Sequence, residues 1–155
     1  KIGTTPTSVG PPASTREARG AGADAILLIA AALDDADLSG GIVNAAAHDL
    51  EALVEVHDVD ELKRALDCGA TLIGVNCRDL RTLSVSPAVF EEIATALPDS
   101  YPAVAESGIS QPSDLARLIS LGYDAFLIGE RFMTAPNPGE ALAQFLAAVL
   151  DGRVS

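Results

Sequence analysis

Several polar residues in this sequence stand where apolar runs end, and their types suit proton transfer and anion binding. Glu55 sits in Leu-Val-Glu-Val-His, flanked by Val54 and Val56. A carboxyl so placed is partly desolvated, which raises its affinity for a proton and suits it to general acid–base work. The alternative is a glutamate on the outer face of a surface strand. The next run ends Gly-Val-Asn-Cys-Arg-Asp. There Asn76 can hydrogen-bond a substrate oxygen and Arg78 can pair with a carboxylate or phosphate. Equally, Asn76 could shape the turn and Arg78 could pair with Asp79. Two later runs end Ala-Glu-Ser-Gly-Ile and Leu-Ile-Gly-Glu. Ser107-Gly108 and Gly129-Glu130 thus place small residues before a helix, where exposed backbone N–H groups make an anion site.

The elements that must position these residues repeat one unit. Apolar runs at 25–30 (AILLIA), 53–57 (LVEVH), 72–76 (LIGVN), 103–107 (AVAES) and 125–129 (AFLIG) each have the length of a buried strand. Helical patterns separate them, and glycine closes three of those helices in Gly22-Ala23-Asp24, Gly69-Ala70-Thr71 and Gly122-Tyr123-Asp124. Asp58 with Glu61 reads as a capping box. Ser86-Pro87 and Asn137-Pro138 read as a cap followed by proline at the first helical position. A helix over 37–47 is weakened by Gly40 and Gly41, and another covers 15–21. Strands alternating with helices indicate parallel βαβ units, in which ligands gather at the C-terminal strand ends. The fold class is therefore α/β.

Residues 1–14 (KIGTTPTSVGPPAS) are a Pro/Gly/Ser/Thr-rich segment with only Ile2 and Val9 as larger apolar side chains, and read as irregular. Residues 15–155 form the domain. The chain has 155 residues, 48% of them hydrophobic, with 10 Lys+Arg against 22 Asp+Glu and a net charge of −12. That balance disfavours nucleic acid and anionic membrane surfaces as partners. A small phosphorylated ligand is compatible with it, since main-chain N–H groups need no net basicity. Cys68 and Cys77 read as buried thiols. His48 reads as a surface residue; His57 follows a strand and could line the site, although its neighbour Asp58 at the cap suffices to explain the position. No metal-ligand spacing, P-loop or Gly-x-Gly-x-x-Gly occurs, so neither metal nor cofactor is expected. The longest uncharged apolar run is too short to span a bilayer, and a cytoplasmic location is expected.

Together the segments GADAILLIAAALDD (22–35), ALVEVHD (52–58), IGVNCRDL (73–80), VAESGI (104–109) and AFLIGE (125–130) resemble the second half of indole-3-glycerol phosphate synthase. The resemblance implies a partial (β/α)8 TIM barrel whose five runs are strands four to eight, with the N-terminal strands missing. It implies a cofactor-free lyase of tryptophan biosynthesis that closes 1-(2-carboxyphenylamino)-1-deoxyribulose 5-phosphate to indole-3-glycerol phosphate, losing CO2 and water. On it, Glu55 looks like the proton-handling glutamate and Asn76 like the asparagine that orients substrate. Arg78, Glu106 and Ser107 look like substrate contacts. Gly108, Gly129 and Glu130 match phosphate-binding loops.

The family's lysines on strands one and three have no counterpart here. Its register puts Pro6 where the strand-three lysine should stand, with Lys1 five positions too early. The expectation is that this chain alone is inactive. The alternative is a non-catalytic half-barrel that binds phosphate or serves as an assembly module, with a homo-oligomer or a complementing N-terminal barrel fragment as its partner. A related isomerase of the same pathway is disfavoured by the placement of Glu55 and Asn76.

Overall fold

A computed structural model describes residues 2–4, 12–78, 82 and 84–151 of the chain. The five apolar runs form parallel strands, preceded by one more. The order is β1 (Ile2–Thr4), α1 (Pro12–Gly20), β2 (Ala25–Ile29), α2 (Asp35–Ala46), β3 (Glu51–Val56), α3 (Val59–Asp67), β4 (Leu72–Asn76), α4 (Ala88–Ala96), β5 (Ala103–Glu106), α5 (Pro112–Ser120), β6 (Ala125–Leu127), α6 (Glu130–Met133) and α7 (Pro138–Asp151). The strands lie side by side in chain order, every pair parallel. Buried side chains of α2, α3, α4, α5 and α7 pack with the strands into one core, as expected of right-handed crossovers between successive parallel neighbours. The result is an arc of a (β/α)8 barrel, a partial TIM barrel.

Strand pleating then sorts the side chains. Ile26, Leu28, Ala52, Val54, Val56, Ile73, Val75 and Ala105 face the helices and form one core with Leu38, Leu62, Phe90, Ile93, Leu115 and Leu118. Full burial of a Leu or Ile side chain contributes roughly 1.5–3 kcal/mol. The opposite, concave face carries Leu53, Glu55, Gly74, Asn76, Val104 and Glu106. Toward the sheet edges that face opens to solvent: β2 alternates half-buried with buried, and Leu127 of β6 is exposed.

The helix-ending glycines Gly22, Gly69 and Gly122 all adopt positive φ, as the repeated joints require. Gly41 sets how closely α2 lies on the sheet, for a Cβ there would stand 3.1 Å from Leu28 Cδ1. The two glycines that weaken α2 as an isolated helix thus include one that seats it.

Several expectations are corrected. Residues 1–14 are not irregular throughout: Ile2–Thr4 pair in parallel with β2, and α1 begins at Pro12. Backbone pairing to a buried neighbour holds a strand too short and too polar to announce itself. Lys1 and Pro6 lie outside the described residues. The helix expected over 37–47 starts at Asp35, because Asp34 caps it by accepting from the Asp37 N–H at 2.8 Å. Ser86 caps nothing; Pro87 holds the cap position of α4, and the Ser86 N–H donates to the Cys77 carbonyl at 2.8 Å. Asn137 does cap the start of α7, through the Glu140 N–H. Among the described residues no helix is long and apolar enough to cross a membrane.

Candidate active site

Register gathers three polar side chains on the concave face. Glu55 of β3 lies opposite Gly74 of β4, and Asn76 of β4 lies opposite Glu106 of β5. Gly74 has no side chain, and the space a Cβ would fill holds Glu106 Oε1. The Glu106 carboxyl therefore leans across β4 toward Glu55. Glu55, Asn76 and Glu106 are 4%, 9% and 7% exposed, which makes them three of the few buried polar residues among those described. Asn76 Oδ1 accepts the Arg78 backbone N–H at 3.0 Å, so its NH2 group is left to face Glu55.

His57 completes the cluster from the loop after β3. Its Nε2 stands 3.2 Å from Glu55 Oε1, within ion-pair reach but without hydrogen-bond alignment, and neither atom has another partner. On its other side, Glu61 Oε2 accepts from the His57 backbone N–H at 2.8 Å and lies 3.1 Å from ring Nδ1. The expected capping box is thus split: Asp58 does cap the Glu61 N–H at 2.8 Å, while Glu61 reaches back to His57 rather than to Asp58.

These contacts separate the two buried acids. Burial pushes the Glu55 carboxyl up, but the His57 ring and the Asn76 amide outweigh it and leave Glu55 below the ordinary value for glutamate. Burial and the adjacent Glu55 charge push Glu106 up to about 8. Near neutral pH one acid is ionised and its neighbour holds a proton, the arrangement in which two carboxyls play different parts in proton transfer. His57 is raised to about 9 by Glu55 and then Glu61.

A second group of residues lines an opening of about 790 Å³ beyond the tips of β5 and β6: Arg78, Ser107, Gly108, Gly129, Glu130 and Arg131 among them. Arg78 Nη2 donates to Glu130 Oε2 at 2.7 Å, linking the loop after β4 to the start of α6. Ser107 and Gly108 both have positive φ, 65° and 64°. A serine held there is strained, a condition concentrated at functional sites. Gly108 is required twice over, because a Cβ would also stand 2.6 Å from Cys77 Sγ. Cys77 is a buried packing residue beneath that turn, its thiol pushed up by burial. Among the described residues, no turn or cap hydrogen bond uses the N–H of Gly108, Gly129 or Glu130.

The structure therefore brings Glu55, Asn76 and Glu106 into one cluster and Arg78, Ser107, Gly108, Gly129 and Glu130 around one opening. Asp79 lies outside the described residues. Sequence reasoning set His57 aside in favour of the cap, read Glu61 only as a capping-box residue, and passed over Gly74. The i, i+4 spacing of His57 and Glu61 was a usable signal, as was a glycine inside a strand, which marks a close approach.

The profile of the indole-3-glycerol phosphate synthase family matches residues 12–145. Indole-3-glycerol phosphate synthase 1 of Streptomyces coelicolor is 46% identical over 132 residues, covering 85% of this chain and 49% of that protein. The indole-3-glycerol phosphate synthase of Albidiferax ferrireducens is 47% identical over 131 residues, covering 84% and 50%. The chain spans about half the length of these curated relatives. Solved structures share the fold at low identity. A chain of the Amycolatopsis orientalis BexX/CysO complex has a TM-score of 0.68 at 22% identity, covering 99% of this chain and 67% of its own. Thiamine phosphate pyrophosphorylase from Pyrococcus furiosus has 0.68 at 18%, covering 88% and 64%.

Proposed function

Since the chain belongs to the indole-3-glycerol phosphate synthase family, we propose that it forms the acid-bearing wall of a site for that reaction in tryptophan biosynthesis. The substrate is 1-(2-carboxyphenylamino)-1-deoxyribulose 5-phosphate, which closes to indole-3-glycerol phosphate with loss of CO2 and water. Glu55, ionised beside His57, takes and returns protons during ring closure and dehydration. Asn76, with one NH2 hydrogen turned to Glu55, orients a substrate oxygen through the other. Glu106, holding its proton, donates a hydrogen bond, and Ser107 contacts the substrate beside it. The phosphate is received by the main-chain N–H groups of Gly108, Gly129 and Glu130, with Arg78 as a further cation. The observation that carries this reading is the burial of Glu55, Asn76 and Glu106 on three consecutive strand tips.

The lysine that protonates the ketose carbonyl is not in this cluster; the family resemblance puts it on strand three. General acid catalysis contributes about 10²–10⁴-fold, so the chain alone should turn over slower by at least that factor. The test is to titrate the chain with its substrate and follow backbone amide shifts and indole-3-glycerol phosphate formation. Shifts at Gly108, Gly129 and Glu130 with little product are expected. Unmoved amides there, or turnover at the rate of a whole synthase, would overturn the reading.

A second reading, a half-barrel that binds phosphate or assembles with a complementing fragment or a second copy, is favoured by exposed apolar surface. Leu142, Leu146 and Leu150 are 43%, 48% and 60% exposed at helical spacing on α7, and β6 ends the order of the described strands. Size-exclusion chromatography tests it: a stable monomer counts against obligatory pairing.

A further inference from the structure

The Glu61–His57–Glu55 chain has an internal logic that constrains where protons sit. An ionised Glu61 oxygen can only accept, and it already accepts the His57 backbone N–H. Ring Nδ1, 3.1 Å from the same oxygen, must therefore carry hydrogen. Nε2 faces Glu55 Oε1 at 3.2 Å, and both atoms are enclosed with no other partner. Two lone pairs cannot face each other across that gap. Either Nε2 also carries hydrogen and the ring is a cation, or Glu55 carries it.

The surroundings choose between these. The titratable and charged groups around His57 are Glu55 on β3, the protonated Glu106 across β4 on β5, Asp58 at the cap, and Glu61 and Arg64 on α3. Asp58, Glu61 and Arg64 line one opening with it. Arg64 is committed elsewhere, to Asp35 at 2.9 Å and the Leu33 carbonyl at 2.8 Å. The acids therefore outnumber the cations near the ring, and the ring is the only cation within reach of Glu55 among the described residues.

We propose that His57 is a positioning residue: anchored by Glu61, it supplies the positive charge against which the Glu55 carboxylate is aligned, and so makes Glu55 rather than Glu106 the base of the buried pair. The idea deepens the reading above, because it rests on Glu55 being the proton-handling group. The ring's raised affinity for its proton, to about 9, agrees with the geometry.

The test needs no substrate, so it can fail separately from that reading. The full chain contains two histidines, and His48→Gln assigns their imidazole NMR signals outright. His57 is expected to be protonated at both ring nitrogens at pH 7. Glu61→Gln should lower its titration midpoint by roughly 1–3 pH units, the effect of an opposite charge at this range. In a chain carrying ¹³C-labelled glutamate, His57→Gln should raise the Glu55 midpoint, whereas His48→Gln should leave it alone. A His57 ring that is neutral at pH 7, or one indifferent to Glu61→Gln, would overturn the proposal. Should His57→Gln not fold, the Glu61→Gln titration decides alone. Loss of substrate-dependent amide shifts with the His57 titration as expected would strike the functional reading and leave this one standing.

Discussion

Replacing Glu106 by glutamine should make the protein more stable, by an amount that grows as pH rises from about 5 to about 8. In the unfolded chain Glu106 ionises near 4.5, whereas in the folded protein burial and the neighbouring Glu55 charge hold its proton to about 8. Between those values the unfolded state releases a proton that the folded state keeps, so folding stability falls as pH rises and the loss is complete above about 8. Each tenfold in an ionisation constant is ~1.4 kcal/mol, which sets an upper limit of ~5 kcal/mol on the loss. Glutamine has nearly the same shape, never ionises, and can donate its NH2 hydrogens to Glu55 in place of the carboxyl proton. We therefore expect Glu106→Gln to match the parent near pH 5 and exceed it by about 2–5 kcal/mol at pH 9. His57, whose proton is held to about 9, adds a loss of the same sign between 6.5 and 9 in both proteins, and it largely cancels in the difference. Urea unfolding at pH 5, 7 and 9 reads the effect directly. A domain of this kind has only about 5–15 kcal/mol in total, so the change is well within measurement. Parallel pH profiles for the two proteins would refute the argument, because they would mean that Glu106 ionises freely in the folded state.

Gly74→Ala should cost about 1–3 kcal/mol by overpacking, since its methyl would occupy the place of Glu106 Oε1 and press on Leu53 Cδ1 at 3.2 Å; urea unfolding should show the loss shrinking when Glu106→Ala is added. Gly108→Ala should destabilise by a similar amount, through both its positive φ and the approach to Cys77 Sγ at 2.6 Å. Combined with Cys77→Ala, the double-mutant cycle should show a favourable coupling of about 0.5–3 kcal/mol, and strict additivity would mean that the two residues do not touch. Tyr123→Phe should cost about 0.5–1.5 kcal/mol, because the buried hydroxyl donates to the Phe90 carbonyl at 3.0 Å and its removal leaves that oxygen unpaired.

Much of the architecture was legible because parallel strands buried on one side by helices must be apolar over several residues. All five such runs are strands, and the glycines before three of them have the positive φ that the joints demand. The edge strand Ile2–Thr4 was not legible, since its stability comes from hydrogen bonds to β2 and leaves no trace in side-chain pattern. The site divides in the same way. Glu55 and Asn76 were visible as polar residues breaking apolar runs. The part played by His57 was hidden, because Asp58 beside it gave a sufficient local explanation for the position. Gly74 matters through the rotamer of a residue two strands further along the order of contact from Glu55, a fact that only packing reveals. Ser86 failed as a cap for a related reason: its N–H is tied to the Cys77 carbonyl, and that bond fixes the turn before the side chain can act.

That strand order simply follows chain order has a kinetic consequence. Each of the described strands after the first meets the one synthesised immediately before it, so no pairing among these six has to wait for a distant segment, and the costs of closing long loops are avoided there. Assembly of these six strands can proceed by accretion onto a neighbouring pair, as in repeat proteins whose units contact only their neighbours. A chain emerging from the ribosome could add one strand and one helix at a time, with the acidic pocket taking shape only when β5 docks and swings Glu106 over the bare backbone of β4.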